Sequence, residues 1–162
     1  MTDVASIDDA AELTSYIETH YHARHREDLP ALLELAVKVE SVHATHDRVP
    51  LGLSDLLRRM IGAMEVHMKK EELILFPAIR NGGAPGIENP IAVMRADHDN
   101  HEVEICEIRR LTSDLSLPES ASRTWITLYD GLAKFLADLE EHIRLENEVL
   151  FPQFEPEGRT YA

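Results

Sequence analysis

The sequence predicts an all-α fold in which four helices pack side by side as an antiparallel bundle. Glycine and proline are concentrated in three short breaks that divide the chain into four long segments. Within each segment the apolar residues alternate at intervals of three and four, as on a helix that buries one face. No segment sustains the alternation of apolar and polar residues that marks a half-buried strand. With 162 residues, the chain is expected to fold as a single domain over residues 1–162.

The first segment is predicted to begin near Ser6, where Ser6 and Asp9 have the spacing of a capping box. Its inward face contains His22 and His43, which lie ~30 Å apart if they share one straight helix. Both could then reach one site only if the helix breaks between them, and Pro30 would permit such a break. We favour His22 for a central site, because a helix that starts near Ser6 then extends as far beyond the site as its neighbours do. His43 stays an alternative.

The other three segments carry polar residues on the faces that should be buried. After a break at residues 46–52, the inward face of the second segment consists of Leu57, Met60, Met64, His67, Glu71, Ile74 and Ala78. The third segment, after the glycine-rich break, has Ile91, Met94, His98, His101, Ile105 and Ile108. The fourth, after Pro118, has Trp125, Leu128, Leu132, Phe135, Leu139, His142, Glu146 and Val149. The interior of the bundle is therefore expected to contain histidine and glutamate.

The heights of these histidines along the bundle are predicted to agree. In an antiparallel hairpin, residues at one height are equidistant from the turn. The midpoint between His67 and His98 falls in the glycine-rich break at residues 81–86, and the midpoint between His98 and His142 falls at Ser120, in the next loop. Three histidines on three helices are thus expected at about the same depth.

One pattern, His-x-x-x-Glu-x-x-x-Leu-Phe-Pro, occurs twice, beginning at His67 and again at His142. Residues four apart lie on the same face of a helix, so each copy directs an imidazole and a carboxylate the same way. Ferritin-like sites use Glu-x-x-His instead, with glutamate first and an interval of three. The two copies and two further histidines predict the ligands of a dinuclear metal site: His22, His67, Glu71, His98, His142 and Glu146.

The alternative interpretation is a buried network of hydrogen bonds between histidine and glutamate. Such a network would hold ionised carboxylates in the core with no lysine or arginine in register to neutralise them, which is costly. A pair of cations removes that cost, and imidazole with carboxylate but without thiolate favours iron, manganese or zinc. His101, one turn after His98, could be a fifth histidine ligand or a hydrogen-bond donor outside the ligand set.

The remaining polar residues near these positions are expected to have other roles. A solvated position is the default for Glu72 and for Asp97, which could also relay protons. Cys106 is predicted to be a small apolar residue, buried or half-buried. Positions on the surface or at helix ends are predicted for three other histidines, His20, His25 and His46.

Charge and composition limit the classes of partner and compartment. A net charge of −14 argues against nucleic acid and against anionic membrane surfaces, because both require clustered positive charge. No run of about 18 apolar residues occurs, so no membrane span is expected. The residues after Met1 lack the basic start and apolar stretch of a secretory signal. A single cysteine cannot form an internal disulfide, which suits a reducing compartment, and a cytoplasmic location is expected.

Several stretches, taken in order, carry a resemblance to a known family. They are Tyr-His-Ala-Arg-His-Arg at residues 21–26 with Leu29-Pro30 after it, residues 39–44, the repeated motif at residues 67–77, residues 90–94, His98-Asp99, and the second motif at residues 142–152. In sequence and spacing these stretches resemble the hemerythrin-like domain of iron–sulfur cluster repair proteins. The resemblance covers nearly the whole chain.

The resemblance implies a hemerythrin-like four-helix bundle with a non-haem di-iron centre. The four histidines of the predicted set would be terminal ligands, and Glu71 and Glu146 would bridge two iron ions together with an oxo or hydroxo group. Manganese or zinc could substitute for iron, and a diatomic ligand such as nitric oxide or oxygen would have room to bind. Longer members of the family carry an additional N-terminal domain with a cysteine pair, which this chain is expected to lack.

Three functions are compatible with such a centre. The first is a di-iron protein of the nitrosative and oxidative stress response, which contributes to iron–sulfur cluster repair by donating iron or binding nitric oxide, with iron–sulfur proteins as partners. The second is reversible binding of oxygen or nitric oxide, as in hemerythrin, for transport or sensing. The third is an enzyme that reduces nitric oxide or peroxide. The sequence contains no glycine-rich flavin or nicotinamide motif, so an enzyme would need an external electron donor.

Overall fold

The computed structural model describes residues 9–156, and these form four long helices and no strand. The helix α1 covers residues 10–42, α2 covers residues 53–80, α3 is Glu88–Leu111, and α4 covers residues 123–154. Three of the four contain a short π-helical segment. The consecutive pieces are Ala10–Tyr16, Ile17–His22 (π) and Ala23–Val42 in α1, Leu53–Lys70, Glu71–Leu75 (π) and Phe76–Arg80 in α2, and Arg123–Arg144, Leu145–Leu150 (π) and the 3₁₀ turn Phe151–Phe154 in α4.

The helix ends follow local capping chemistry. The Asp9 carboxylate accepts a hydrogen bond from the Glu12 backbone N–H at 2.9 Å and so caps α1. Ser6, the other half of the predicted capping box, lies outside the described residues. Ser122 caps α4 through the Trp125 backbone N–H. Gly52, which precedes α2, has a φ of +96°, a left-handed conformation that glycine adopts without strain.

Contacts between side chains show that neighbouring helices run antiparallel. Between α1 and α2, Arg26 pairs with Glu65, whereas the later residue Glu40 accepts from the backbone of the earlier residue Ser54. Between α1 and α4, His25 contacts His142 and His43 contacts Ser122. Between α3 and α4, Arg95 donates to the backbone carbonyl of Asn147, and Arg109 pairs with Glu140. The predicted all-α antiparallel bundle is therefore confirmed.

Two apolar clusters fill the interior of the bundle, on either side of a polar layer. The smaller cluster contains the start of α1 and the ends of α2 and α4, including Leu13, Phe76 and Phe151. The larger cluster contains the other half of the bundle, including Trp125 and Phe135. Between them along α1 lies His22, with Tyr21 in the smaller cluster and Leu29 in the larger.

Pro30 does not break α1. The α-helical piece Ala23–Val42 continues through it, so His22 and His43 stay far apart on one helix. Within residues 9–156, no helix is both long enough and apolar enough to cross a membrane.

Candidate metal centre

The polar layer brings all six predicted ligands together in the core. Each of these side chains is at most 2% exposed, so the layer is closed to bulk solvent. The helix α1 supplies His22 and α3 supplies His98, while each copy of the repeated motif supplies a histidine and a glutamate. The donor atoms form two groups, in each of which all atoms lie within 4.8 Å of one another: His22, His142, Glu71 and Glu146 in group A, and His67, His98, Glu71 and Glu146 in group B.

The two glutamates are common to both groups, and each faces one histidine from each group. The Glu71 Oε1 atom lies 3.0 Å from Nε2 of His22 and 3.5 Å from Nε2 of His67. Glu146 divides its oxygens, with Oε2 at 2.9 Å from Nε2 of His142 and Oε1 at 2.9 Å from Nε2 of His98. Each carboxylate therefore lies between a histidine of group A and a histidine of group B, where it could contribute to the binding of a cation in either group.

All four histidines turn Nε2 towards the glutamates and Nδ1 towards an outer partner. Three of these outer partners are oxygen atoms, at 2.7–2.9 Å from Nδ1 of His22, His67 and His98: Glu72 Oε2, Asp97 Oδ2 and Asn147 Oδ1. The fourth is a nitrogen, His25 Nε2, at 3.0 Å from Nδ1 of His142. An outer hydrogen bond of this kind fixes the ring orientation and the tautomer of a metal-binding histidine.

Two of these outer partners contradict the sequence-based expectation. His25 was predicted at the surface or a helix end but is completely buried, because it lies one turn after His22 on the same inward face of α1. Glu72 was expected in solvent but its side chain is only 18% exposed. The Arg26 guanidinium donates to both Glu72 oxygens and to Glu65, which holds Glu72 against His22.

The other two outer partners, Asp97 and Asn147, were also not identified from the sequence as hydrogen-bond partners of the predicted ligands. Asp97 lies 2.9 Å from His67 and 3.6 Å from the Lys70 ammonium, whereas a solvated position was the default. Asn147, directly after Glu146, was not singled out at all. Its signal in the sequence is its position next to a ligand, as for Glu72 next to Glu71 and Asp97 next to His98.

Hydrogen bonds among the six ligand side chains leave part of their polar surface unsatisfied. Four of their buried atoms make no well-oriented hydrogen bond within the described part of the chain: His67 Nε2, Glu71 Oε2, and the two atoms His98 Nε2 and Glu146 Oε1, which lie 2.9 Å apart. Buried polar atoms are normally paired, so this cluster of imidazole nitrogens and carboxylate oxygens fits cations as the missing partners. The donor set of imidazole nitrogen and carboxylate oxygen fits iron, manganese or zinc.

The pKa shifts of the histidines favour cation binding at one position in each group. Burial lowers the pKa of His22 to about 4 and that of His67 to about 3, so both imidazoles are neutral at pH 7. A neutral imidazole with hydrogen on Nδ1 offers the Nε2 lone pair to a cation. Burial opposes charge on His98 as well, but the nearby carboxylate of Glu146 raises the pKa of His98 overall.

The two glutamates differ in charge state when only protein groups surround them. Burial and repulsion from Glu146 raise the pKa of Glu71 well above its usual range. Burial would also raise the pKa of Glu146, but attraction and a hydrogen bond from His142, together with the nearby imidazole of His98, lower it well below its usual range. Cations in both groups would favour the ionised form of both carboxylates.

The other histidines lie outside both donor groups. His101 is buried beside His67, with ring centroids 5.0 Å apart, its Nδ1 lies 3.3 Å from Glu104, and its Nε2 has no hydrogen-bond partner among residues 9–156. His43, at the far end of α1, contacts Ser122 and the Trp125 ring. Cys106 is exposed rather than buried or half-buried, since it projects from the outer face of α3.

Comparison with known proteins gives a consistent result. The model of the hemerythrin HHE cation-binding domain matches residues 14–154. The chain is 44% identical over 141 residues to proteins named iron–sulfur cluster repair protein YtfE from Yersinia pestis and from Yersinia pseudotuberculosis. The matched region is 87% of this chain and 64% of each relative, so the chain spans less than two thirds of their length. The resemblance found in the sequence is confirmed.

Proposed function

The chain belongs to the hemerythrin HHE cation-binding domain family, and on that premise we propose that it binds two iron ions and uses them in the repair of iron–sulfur clusters during nitrosative and oxidative stress. The observation that supports this most directly is the pair of four-donor groups that share Glu71 and Glu146. Group A would hold one ion and group B the other. The relatives named as repair proteins are longer than this chain, so their role is transferred to it here as a proposal.

The iron pair, when bound, would supply one-electron chemistry and coordination positions for a diatomic ligand such as nitric oxide. The protein residues keep that chemistry separate from solvent. The apolar clusters above and below the layer exclude water, and the two phenylalanines of the repeated motif cover the ligands. Phe76 stacks on His22 with ring centroids 5.9 Å apart, and Phe151 stacks on His98 at 5.8 Å.

Donation of iron is compatible with this donor set. Each group contains two imidazoles and two shared carboxylates and no thiolate. Glu71 and Glu146, the two anionic residues of the donor set, are therefore shared between both ions, and protons compete for the same atoms. A reducing compartment such as the cytoplasm would keep the iron ferrous and suits a chain whose single cysteine, Cys106, is unpaired.

The test is reconstitution of a damaged iron–sulfur enzyme. The protein is prepared with two iron ions per chain and mixed with a [4Fe–4S] enzyme whose cluster has been destroyed by nitric oxide, with a reductant, a sulfide source and a ferrous chelator present. We expect the enzyme to recover faster than with free ferrous iron at the same concentration. Equal recovery from both sources would refute iron donation.

A titration with nitric oxide separates this role from gas binding. If the optical bands of the iron centre change while all iron stays bound and the enzyme does not recover, the protein is a reversible nitric oxide or oxygen binder of the hemerythrin type. Repeated consumption of nitric oxide or peroxide with an added electron donor would instead identify a reductase.

A further inference from the structure

His25 differs from the other three outer partners, because it contacts a predicted ligand through a ring nitrogen and not through an oxygen. It is completely buried on α1, three residues after His22. Its Nε2 atom lies 3.0 Å from Nδ1 of His142, and the two rings are within 24° of parallel. The Phe135 ring lies nearly perpendicular to the His25 ring, with ring centroids 5.5 Å apart.

A hydrogen bond between two imidazole nitrogens contains a single hydrogen, and this constrains both rings. When Nε2 of His142 faces a cation, its hydrogen must be on Nδ1, which then donates to His25 Nε2. His25 can accept only if that nitrogen carries no hydrogen, so the hydrogen of His25 has to be on its own Nδ1. A doubly protonated His25 could not fill this role.

The other nitrogen of His25 supports the same interpretation. Nδ1 of His25 is buried and has no hydrogen-bond partner within the described part of the chain. A core position with an unsatisfied imidazole nitrogen is unfavourable compared with an apolar side chain of similar size. Folding alone would therefore favour leucine here, and the presence of histidine requires another reason.

We propose that His25 is a positioning residue, which fixes the tautomer and orientation of His142 and thereby controls retention of the ion in group A. This inference rests on the proposed binding of two iron ions. The helix α1 would then act on group A twice, through His22 as a ligand and through His25 as the support of the other histidine ligand. Group B does not contain His142, so His25 should not affect its ion directly.

The test compares two substitutions of His25 with a remote control. His25→Leu removes the acceptor with little change in volume, and His25→Gln restores an acceptor oxygen, as Asn147 provides for His98. His43→Leu makes the same replacement at the far end of α1. Ferrous iron is titrated into each protein against a chelator, and zinc-loaded samples are studied by histidine ¹⁵N NMR to determine which nitrogen of His142 carries hydrogen.

We expect His25→Leu to weaken binding of one ion about 10- to 100-fold, the range typical for loss of an outer-shell hydrogen bond, and to leave the other ion unchanged. His25→Gln should recover most of that affinity, with hydrogen on Nδ1 of His142, and His43→Leu should match the wild type. Two ions bound equally tightly in His25→Leu would refute the positioning role. Failure of the wild type to bind two ions would instead refute the proposed function.

If His25→Leu is too unstable for titration, the positions of the imidazole hydrogens in the wild type still decide the question. The NMR spectrum of the zinc-loaded wild type must show hydrogen on Nδ1 of both His25 and His142. Hydrogen on Nε2 of His25 would overturn the proposal without any variant.

Discussion

Replacement of His22 by leucine should remove one iron ion per chain, whereas the same replacement of His43 should remove none. His22 is completely buried, and its Nε2 atom belongs to group A. His43 lies on the same unbroken helix, ~30 Å further along at 1.5 Å per residue. Its side chain forms a hydrogen bond with the Ser122 hydroxyl, outside the polar layer.

The magnitude follows from the composition of the two donor groups. His22→Leu reduces group A from four protein donors to three and leaves all four of group B in place. Iron content should therefore fall from two ions to about one per chain. His43→Leu loses one hydrogen bond and a ring contact with Trp125, which should cost about 1 kcal/mol of stability without loss of iron.

The assay is metal analysis of each variant after purification without added metal, together with Mössbauer spectra. The coupled spectrum of an iron pair should be replaced by that of a single ion in His22→Leu. Loss of iron from His43→Leu, with His22→Leu retaining two ions, would refute the assignment of the first helix. Circular dichroism of both variants is the control for correct folding.

Three further outcomes are expected. Glu71→Ala should weaken both ions rather than one, because Glu71 belongs to both groups, and a chelator titration that shows one intact site would contradict this. In protein stripped of metal, His22 and His67 have folded pKa values of about 4 and about 3, so they take up a proton below pH 6.5 only when the protein unfolds. The free energy of unfolding should therefore fall as the pH decreases from about 6.5 to 4, by about 1.4 kcal/mol per pH unit for each such histidine. Urea denaturation that showed no such loss would contradict this prediction. Gly62→Ala should stabilise α2 by about 1 kcal/mol, since its added methyl group meets nothing within 4 Å. Gly131→Ala should stabilise the protein less or destabilise it, because its methyl group would lie 2.8 Å from a leucine of α1. Thermal melts of both variants compare the two effects.

The sequence contained enough information for the bundle and for the six residues of the polar layer. Helical periodicity placed the histidines and glutamates on inward faces, and equal distances from the turns placed them at one height. The residues around the layer were harder to predict. The roles of Glu72 and Asn147 depend on which residue of a neighbouring helix they contact, and spacing along the chain does not reveal that contact.

His25 shows a different limit of sequence analysis. It lies three residues after His22 and is buried on the same face of α1, yet it was expected at the surface or at a helix end. The partner, His142, is 117 residues away in the chain. Only the packing of α1 against α4 brings the two rings together.

The π-helical segments explain where the helical periodicity failed. The sequence predicted Ile74 and Ala78 on the inward face of α2, but Ile74 is 63% exposed and Leu75 and Ile79 are buried in its place. A π segment adds one residue to a turn, which rotates every later residue by about 100° around the helix axis. The segment starts at Glu71, whose carbonyl accepts from the Phe76 backbone N–H five residues later.

The same displacement occurs in the second copy of the motif and links its two halves. The Glu146 carbonyl accepts from the backbone N–H of Phe151, and Leu150 is buried where periodicity predicted Val149. Without the extra residue, the Leu-Phe-Pro end of each copy would face a different direction from its glutamate. With it, each glutamate points into the polar layer while the phenylalanine five residues later covers a histidine of the neighbouring helix. The π turn, often found at functional sites, therefore allows one short repeated motif to contain both a glutamate of the polar layer and the phenylalanine that covers a histidine of that layer.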